Sequence, residues 1–141
     1  PSDESPVNVP GRSGKHRQKV DIRIVSAVNR PRTRLLFEAK RLCSTPKHPV
    51  SVYLGPKGLG CFTAGEYARD QPDGGMLGYV QSGTEAQWMK QIKQSLKKSK
   101  KYHLKSGPKP VSTIPGCVSS EHDRPTVGKS IEIFHTLLTF H

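Results

Sequence analysis

The chain of 141 residues is about one domain long and carries 23 Lys and Arg against 11 Asp and Glu, a formal net charge of +12. A mean hydropathy of −0.61, with 13 Gly and 12 Pro, describes a globular chain with long irregular connections, and no run of ~18 apolar residues is present that would span a membrane. So basic a balance favours a polyanionic partner, nucleic acid ahead of an anionic membrane surface.

Residues 1–14 combine Pro, Ser, Gly and charge without periodicity and read as a flexible N-terminal tail; residues 15–141 read as one domain. Pro1 opens the chain with no basic-then-apolar leader, so no secretory signal is visible and a cut or processed N-terminus is expected. Basic residues at Arg12, Lys15, Arg17 and Lys19 precede "VDIRIVSAV" (Val20–Val28), whose β-branched content predicts a strand. "NRPR" breaks it, and Thr33–Leu42 forms a second strand, so the two read as a hairpin.

From Ser44 to Gly75 the segments "TPKHP", "GPKGLG" and "QPDGG" are loop-like and separate short pieces such as "VSVYL" and "CFTAGEYA". "YLGPKGLG" lacks the Gly-Lys-Ser/Thr ending of a phosphate-binding loop and reads as a turn. Met76–Gln81 is a short apolar strand. A helix then starts after Thr84, which with Gln87 can form a capping box; Met89, Ile92 and Leu96 repeat on its inner side, and Trp88 is read as packing. Its other face carries Lys90, Lys93, Lys97 and Lys98, continued by Lys100 and Lys101. "SGPKPVSTIPG" reads as a Pro-rich connection, "SEHDRP" (Ser120–Pro125) as a polar loop, and Ser130–Phe140 as a final strand in which His135 is a satisfied core histidine. Cys43, Cys61 and Cys117 are odd in number and lack zinc-site spacing, so free thiols in a reducing cytoplasm are expected.

One stretch does not fit a plain core strand. "RLLFEAKRL" (Arg34–Leu42) places Glu38 and Lys40 among five apolar residues, and charges there are costly unless they satisfy each other, a metal or a substrate. With a hairpin turn centred between Asn29 and Pro31, cross-strand pairing sets Asp21 opposite Glu38 to Lys40. Strand alternation puts Glu38 and Lys40 on one face and turns Leu35, Phe37 and Ala39 toward a core on the other. Two close carboxylates repel unless a cation lies between them, and hard oxygen donors suit Mg²⁺; a neighbouring ammonium can orient water or offset charge on a phosphoryl transition state. The alternative is a cross-strand salt bridge on an exposed hairpin. Glu66 is either a further acid near this cluster or a surface charge.

At these residues, Asp21 in "KVDIRI" and Glu38-Ala39-Lys40 in "LLFEAKRL", the chain resembles the PD-(D/E)XK nucleases, the restriction-endonuclease-like superfamily. The resemblance covers roughly residues 15–141 and departs from the family in two ways: Lys19-Val20 replaces the Pro that often precedes the first acid, and no first helix is visible before Lys15. It implies an α/β (α+β) fold with a mixed central β-sheet flanked by helices. It further implies Mg²⁺-dependent hydrolysis of DNA phosphodiester bonds, with Mn²⁺ able to substitute, in settings such as restriction or phage defence. Asp21 and Glu38 would be metal ligands together with the Ala39 carbonyl, and Lys40 would position water and stabilise charge. Lys90, Lys93, Lys97 and Lys101 would contact the nucleic acid, DNA ahead of RNA. No membrane is implied. A homodimer, or a partner chain supplying the first helix, and a cytoplasmic or nucleoid-associated location complete the expectation. The competing expectation is a non-catalytic nucleic-acid-binding module or adaptor on the same scaffold.

Overall fold

The computed structural model describes residues 5–7, 18–20, 22–25, 34–44 and 49–139. Its centre is a mixed six-stranded sheet in the order β3-β4-β5-β8-β7-β6, formed by β3 (Ile22–Val25), β4 (Arg34–Leu42), β5 (Asp73–Val80), β6 (Leu104–Pro110), β7 (Val118–His122) and β8 (Ile131–Thr139). β4, β5 and β8 run parallel, and antiparallel strands close both sides: β3 on β4, and β7 then β6 beyond β8. The molecule is thus an α/β protein with a mixed central sheet. Apart from it, β1 (Ser5–Val7) pairs antiparallel with β2 (Gln18–Val20), so part of the stretch expected to be a tail is a strand.

Helices α1 (Val50–Tyr53), α2 (Gly60–Thr63) and α3 (Glu85–Lys98) supply the second layer. The short pieces "VSVYL" and "CFTAGEYA" therefore become single helical turns, because Val50, Tyr53, Cys61 and Phe62 serve as buried plugs against the sheet. α3 begins where its sequence says: Thr84 Oγ1 accepts from the Gln87 amide at 3.2 Å and the Gln87 side chain accepts from the Thr84 amide at 3.0 Å, satisfying two otherwise open amides. Trp88, Ile92 and Leu96 are the buried stripe, and the Trp88 indole donates to the Ser82 carbonyl at 2.6 Å.

The core lies on one face of the sheet. Leu36 and Leu42 of β4, Met76 and Val80 of β5, and Ile131, Ile133 and Leu137 of β8 form one cluster with the buried residues of all three helices. Glycines make this contact close: a Cβ on Gly74 would run into the Phe62 ring at 2.5 Å, and one on Gly78 into Leu137 at 2.5 Å and Leu42 at 2.7 Å. The facing predicted for β4 is therefore reversed. Leu36 and Leu42, with Glu38 and Lys40 between them, point under the helices, while Leu35, Phe37 and Ala39 line the opposite, half-buried face, where the Phe37 ring covers Gly75. The sequence could mislead here because β4 carries apolar residues on both faces, and period-2 alternation then marks neither.

Two more segments differ from expectation. The Pro-rich "SGPKP" is part of β6, an edge strand with irregular register against β7, a place where a proline's missing amide costs no ladder bond. The polar "SEHDRP" is not all loop: Ser120, Glu121 and His122 belong to β7, with Ser120 and His122 in the core.

Candidate active site

β4 is held between β3 and β5, and the registers fix what stands beside its charges. Phe37 pairs with Ile22 on one side and Gly75 on the other, and Glu38 and Lys40 pair with Met76 and Gly78. Asp21, the residue before Ile22, lies outside the described residues. Glu38 is 5% exposed, and its Oε1 receives the Lys40 ammonium at 3.1 Å. Lys40 keeps 23% of its side chain exposed, so the pair runs from the core to the solvent boundary with the carboxylate on the inner side. Burying a carboxylate this deeply costs several kcal/mol, of order the attraction regained from the ammonium, so the pair is a poor device for stability alone.

A thiol stands close to the pair, and a second acid close to that thiol. Burial, then the nearby carboxylates of Glu38 and Glu66, push the Cys61 thiol up to about 12, and the Lys40 ammonium works against them. Cys61 is thus a protonated, inert thiol that donates to the Pro56 carbonyl at 3.3 Å. Glu66 follows a tight turn whose Gly65 has φ +77° and stands against Val127, leaving no room for a side chain at that position. Glu66 thus acts on the same thiol as Glu38 and Lys40.

The fit to a divalent cation is partial. Among the described residues no three His, Cys, Asp or Glu side chains converge as a metal group, so Glu38 is the described carboxylate of the expected ligand set and Asp21 lies outside the description. Ala39 pairs with Leu77 and sits on the opposite face from Glu38, leaving only its backbone available as a ligand. Of the lysines expected on nucleic acid, Lys90, Lys97 and Lys101 are exposed and Lys93 is half-buried. Lys101 places its ammonium 5.2 Å from the centre of the Tyr102 ring.

The sequence did not single out the second polar feature of the core, a chain of hydrogen bonds between β7, β8 and α1. Tyr53 Oη lies 2.8 Å from His135 Nδ1, Ser120 Oγ lies 2.8 Å from His135 Nε2 and 2.7 Å from His122 Nε2, and His122 Nδ1 lies 2.7 Å from the Tyr102 carbonyl. Burial, then the neighbouring His122, pulls His135 down to about 3, and burial first also lowers His122, so both rings are neutral. The carbonyl can only accept, which sets the direction of every bond: His122 Nδ1 donates to it, Ser120 donates to His122 Nε2, His135 Nε2 donates to Ser120, and Tyr53 donates to His135 Nδ1. His135 is the satisfied core histidine that its apolar strand predicts.

No protein-family model, no curated protein and no solved structure matches the chain. Among the described residues no helix is long and apolar enough to cross a membrane.

Proposed function

We propose that the chain is a metal-dependent nuclease of the PD-(D/E)XK kind, hydrolysing DNA phosphodiester bonds. The observation that carries the reading is the buried Glu38–Lys40 pair at 3.1 Å, on a strand whose antiparallel neighbour pairs Ile22 with Phe37. In sequence Asp21 precedes Ile22, and with Glu38 and Lys40 it supplies the two acids and one lysine that the motif requires. A net charge of +12 and the exposed lysines of α3 support a grip on phosphates through counterion release.

In this reading Asp21, Glu38 and the Ala39 carbonyl hold Mg²⁺ or Mn²⁺, which would supply Lewis acidity and a more acidic water at the scissile phosphate. Lys40 holds Glu38 in place, keeps its ammonium at the solvent boundary, and offsets the negative charge that grows on the phosphoryl oxygens. Residues of the helical layer exclude water from the inner side of Glu38 and strengthen that interaction. Restriction and phage defence are settings in which such an activity would act, on DNA ahead of RNA, with the chain working as a homodimer or beside a partner.

The second reading, a non-catalytic nucleic-acid-binding module on the same scaffold, keeps the basic surface and drops the metal chemistry. Supercoiled-plasmid nicking in Mg²⁺ and in Mn²⁺, with EDTA controls, separates the two. The chain is compared with Lys40→Ala and with the double variant Glu38→Gln/Lys40→Met, whose folding is checked by circular dichroism. Metal-dependent nicking lost in both folded variants supports the nuclease; binding without nicking supports the module.

A further inference from the structure

The end of α3 gathers more positive charge than the helix face alone. After Lys97 and Lys98 the chain makes a 3-10 turn over Lys100–Tyr102, and His103 reverses it in a left-handed conformation with φ +54°. The turn leaves a cavity of about 430 Å³ lined by Lys97, Lys98, Lys100, His103 and Asp123. A second cavity of about 410 Å³ is lined by Lys105, Arg124 and Lys129, and both share Asp123 and Pro125. Six cations thus face two carboxylates along the groove: Asp123, which both cavities share, and Glu121, which meets Lys105 at 3.9 Å and accepts from Ser130 at 3.2 Å.

Arg124 makes the floor permanently cationic. It is 2% exposed and spends its guanidinium on three carbonyls, donating to Lys129 at 3.0 Å, Ala68 at 2.8 Å and Gln71 at 3.1 Å. Carbonyls satisfy its hydrogens and leave its charge in place. Like charges held this close repel one another unless an anion lies among them.

We propose that this groove is the main phosphate-backbone site of the protein and that it takes duplex rather than single-stranded nucleic acid. The proposal rests on the nucleic-acid reading above and deepens it. Single-strand grooves pair positive charge with exposed aromatic rings on which bases stack. Here Tyr102, the aromatic residue of the turn, is buried, and the Lys101 ammonium stands over its ring. Val52, Ile114 and Leu138 are the exposed large apolar residues among those described, and none is aromatic. A groove of ammonium groups whose exposed ring is the single His103 imidazole reads backbone ahead of bases. It opens beside β6, four strand intervals from β4. At ~4.8 Å per interval that is about 19 Å across the sheet, and the registers Lys40–Gly78–Leu137 and Leu104–His122–Ile131 add about 20 Å along the strands, so the groove is a site about 28 Å from the Glu38–Lys40 pair.

Fluorescence anisotropy with a labelled 20-base-pair duplex and with the same strand alone, over a range of salt, tests this without relying on cleavage. Lys98→Gln/Lys100→Gln and Lys105→Gln/Lys129→Gln remove charge from the groove; Arg41→Gln/Lys57→Gln removes the same charge from exposed positions elsewhere. The expected result is duplex binding ahead of single strand, weakened at least tenfold by each groove variant, with a log–log salt slope shallower by about 2, and weakened much less by the control. Equal losses from groove and control variants, or tighter binding of the single strand, would overturn the groove while leaving the nuclease reading standing. No binding of either probe by the wild-type chain would remove both.

Discussion

Two places on the core face of the sheet admit polar groups, and they are built on opposite plans. Between β4 and β5 the chain buries full charges, Glu38 and Lys40, joined by one ion pair of 3.1 Å that reaches the solvent boundary. Between β7, β8 and α1 it buries neutral groups, Tyr53, His135, Ser120 and His122, in a chain whose every donor has an acceptor and which ends on a backbone carbonyl. The neutral chain loses little to desolvation and gains a unique arrangement of β7 against β8. The charged pair loses much to desolvation and, under the proposed function, gains a carboxylate for a cation and an ammonium for a phosphate. The comparison separates a structural use of buried polarity from a chemical one, and substitutions in the two places should separate stability from activity.

The largest effect on stability belongs to Ser120→Ala. Its hydroxyl serves two imidazole nitrogens, both fully buried, so removal leaves two polar atoms without a partner at about 1–3 kcal/mol each. A loss of about 2–5 kcal/mol in urea unfolding is expected, with nicking by the folded fraction unchanged. A loss below about 1 kcal/mol would mean that the two histidines find other partners and that the chain of bonds is incidental.

At the other place the single and double substitutions should diverge. Lys40→Ala takes the ammonium from beside the buried Glu38 and should cost about 3 kcal/mol, the low end for a broken buried pair because Lys40 is 23% exposed. Glu38→Gln/Lys40→Met removes both charges at similar volume and should lie within about 1 kcal/mol of the wild type, while abolishing nicking. A double variant as unstable as the single one would make the pair a structural device and erase the contrast.

How much of this was legible depends on which residues carried it. Thr84 and Gln87 announced α3 because a capping box is local, and Glu38-Ala39-Lys40 announced the charged site because charge in an apolar strand is conspicuous. The neutral chain was invisible: Ser120 and His122 sit in "SEHDRP", which has the composition of a loop, and their burial is decided by strands distant in sequence. The facing of β4 was missed for the opposite reason, since Leu35 and Phe37 are as apolar as Leu36 and Leu42. Local chemistry showed the charges, and tertiary pairing decided which way they point.

Acid should find the neutral chain before it finds a salt bridge. His135 titrates at about 3 in the fold against 6.5 in the unfolded chain, so below pH 6.5 the unfolded state binds a proton that the folded state refuses. Stability is therefore complete above pH 6.5 and falls with pH through the window down to about 3. Between pH 7 and pH 5 this one ring should remove about 2 kcal/mol. His122, also lowered, acts in the same direction. Urea unfolding at the two pH values, for the wild type and His135→Gln, measures the term; an equal pH dependence in both proteins would assign it elsewhere.

The smallest expected effect tests the far end of the chain of bonds. Because the Tyr102 carbonyl fixes the donors from its end, Tyr53 is the terminal donor, and its hydroxyl serves a single acceptor, His135 Nδ1. Tyr53→Phe keeps the buried ring packed 5.8 Å from the imidazole and orphans that one nitrogen, so it should cost about 1–2 kcal/mol, roughly half of Ser120→Ala. A Tyr53→Phe cost equal to that of Ser120→Ala would mean that losing the terminal donor disorders both histidines. A cost near zero would mean that His135 Nδ1 finds another partner once the hydroxyl is gone. The ratio of the two losses, more than either alone, reports how the stability of the chain of bonds is divided between its terminal donor and its central hydroxyl.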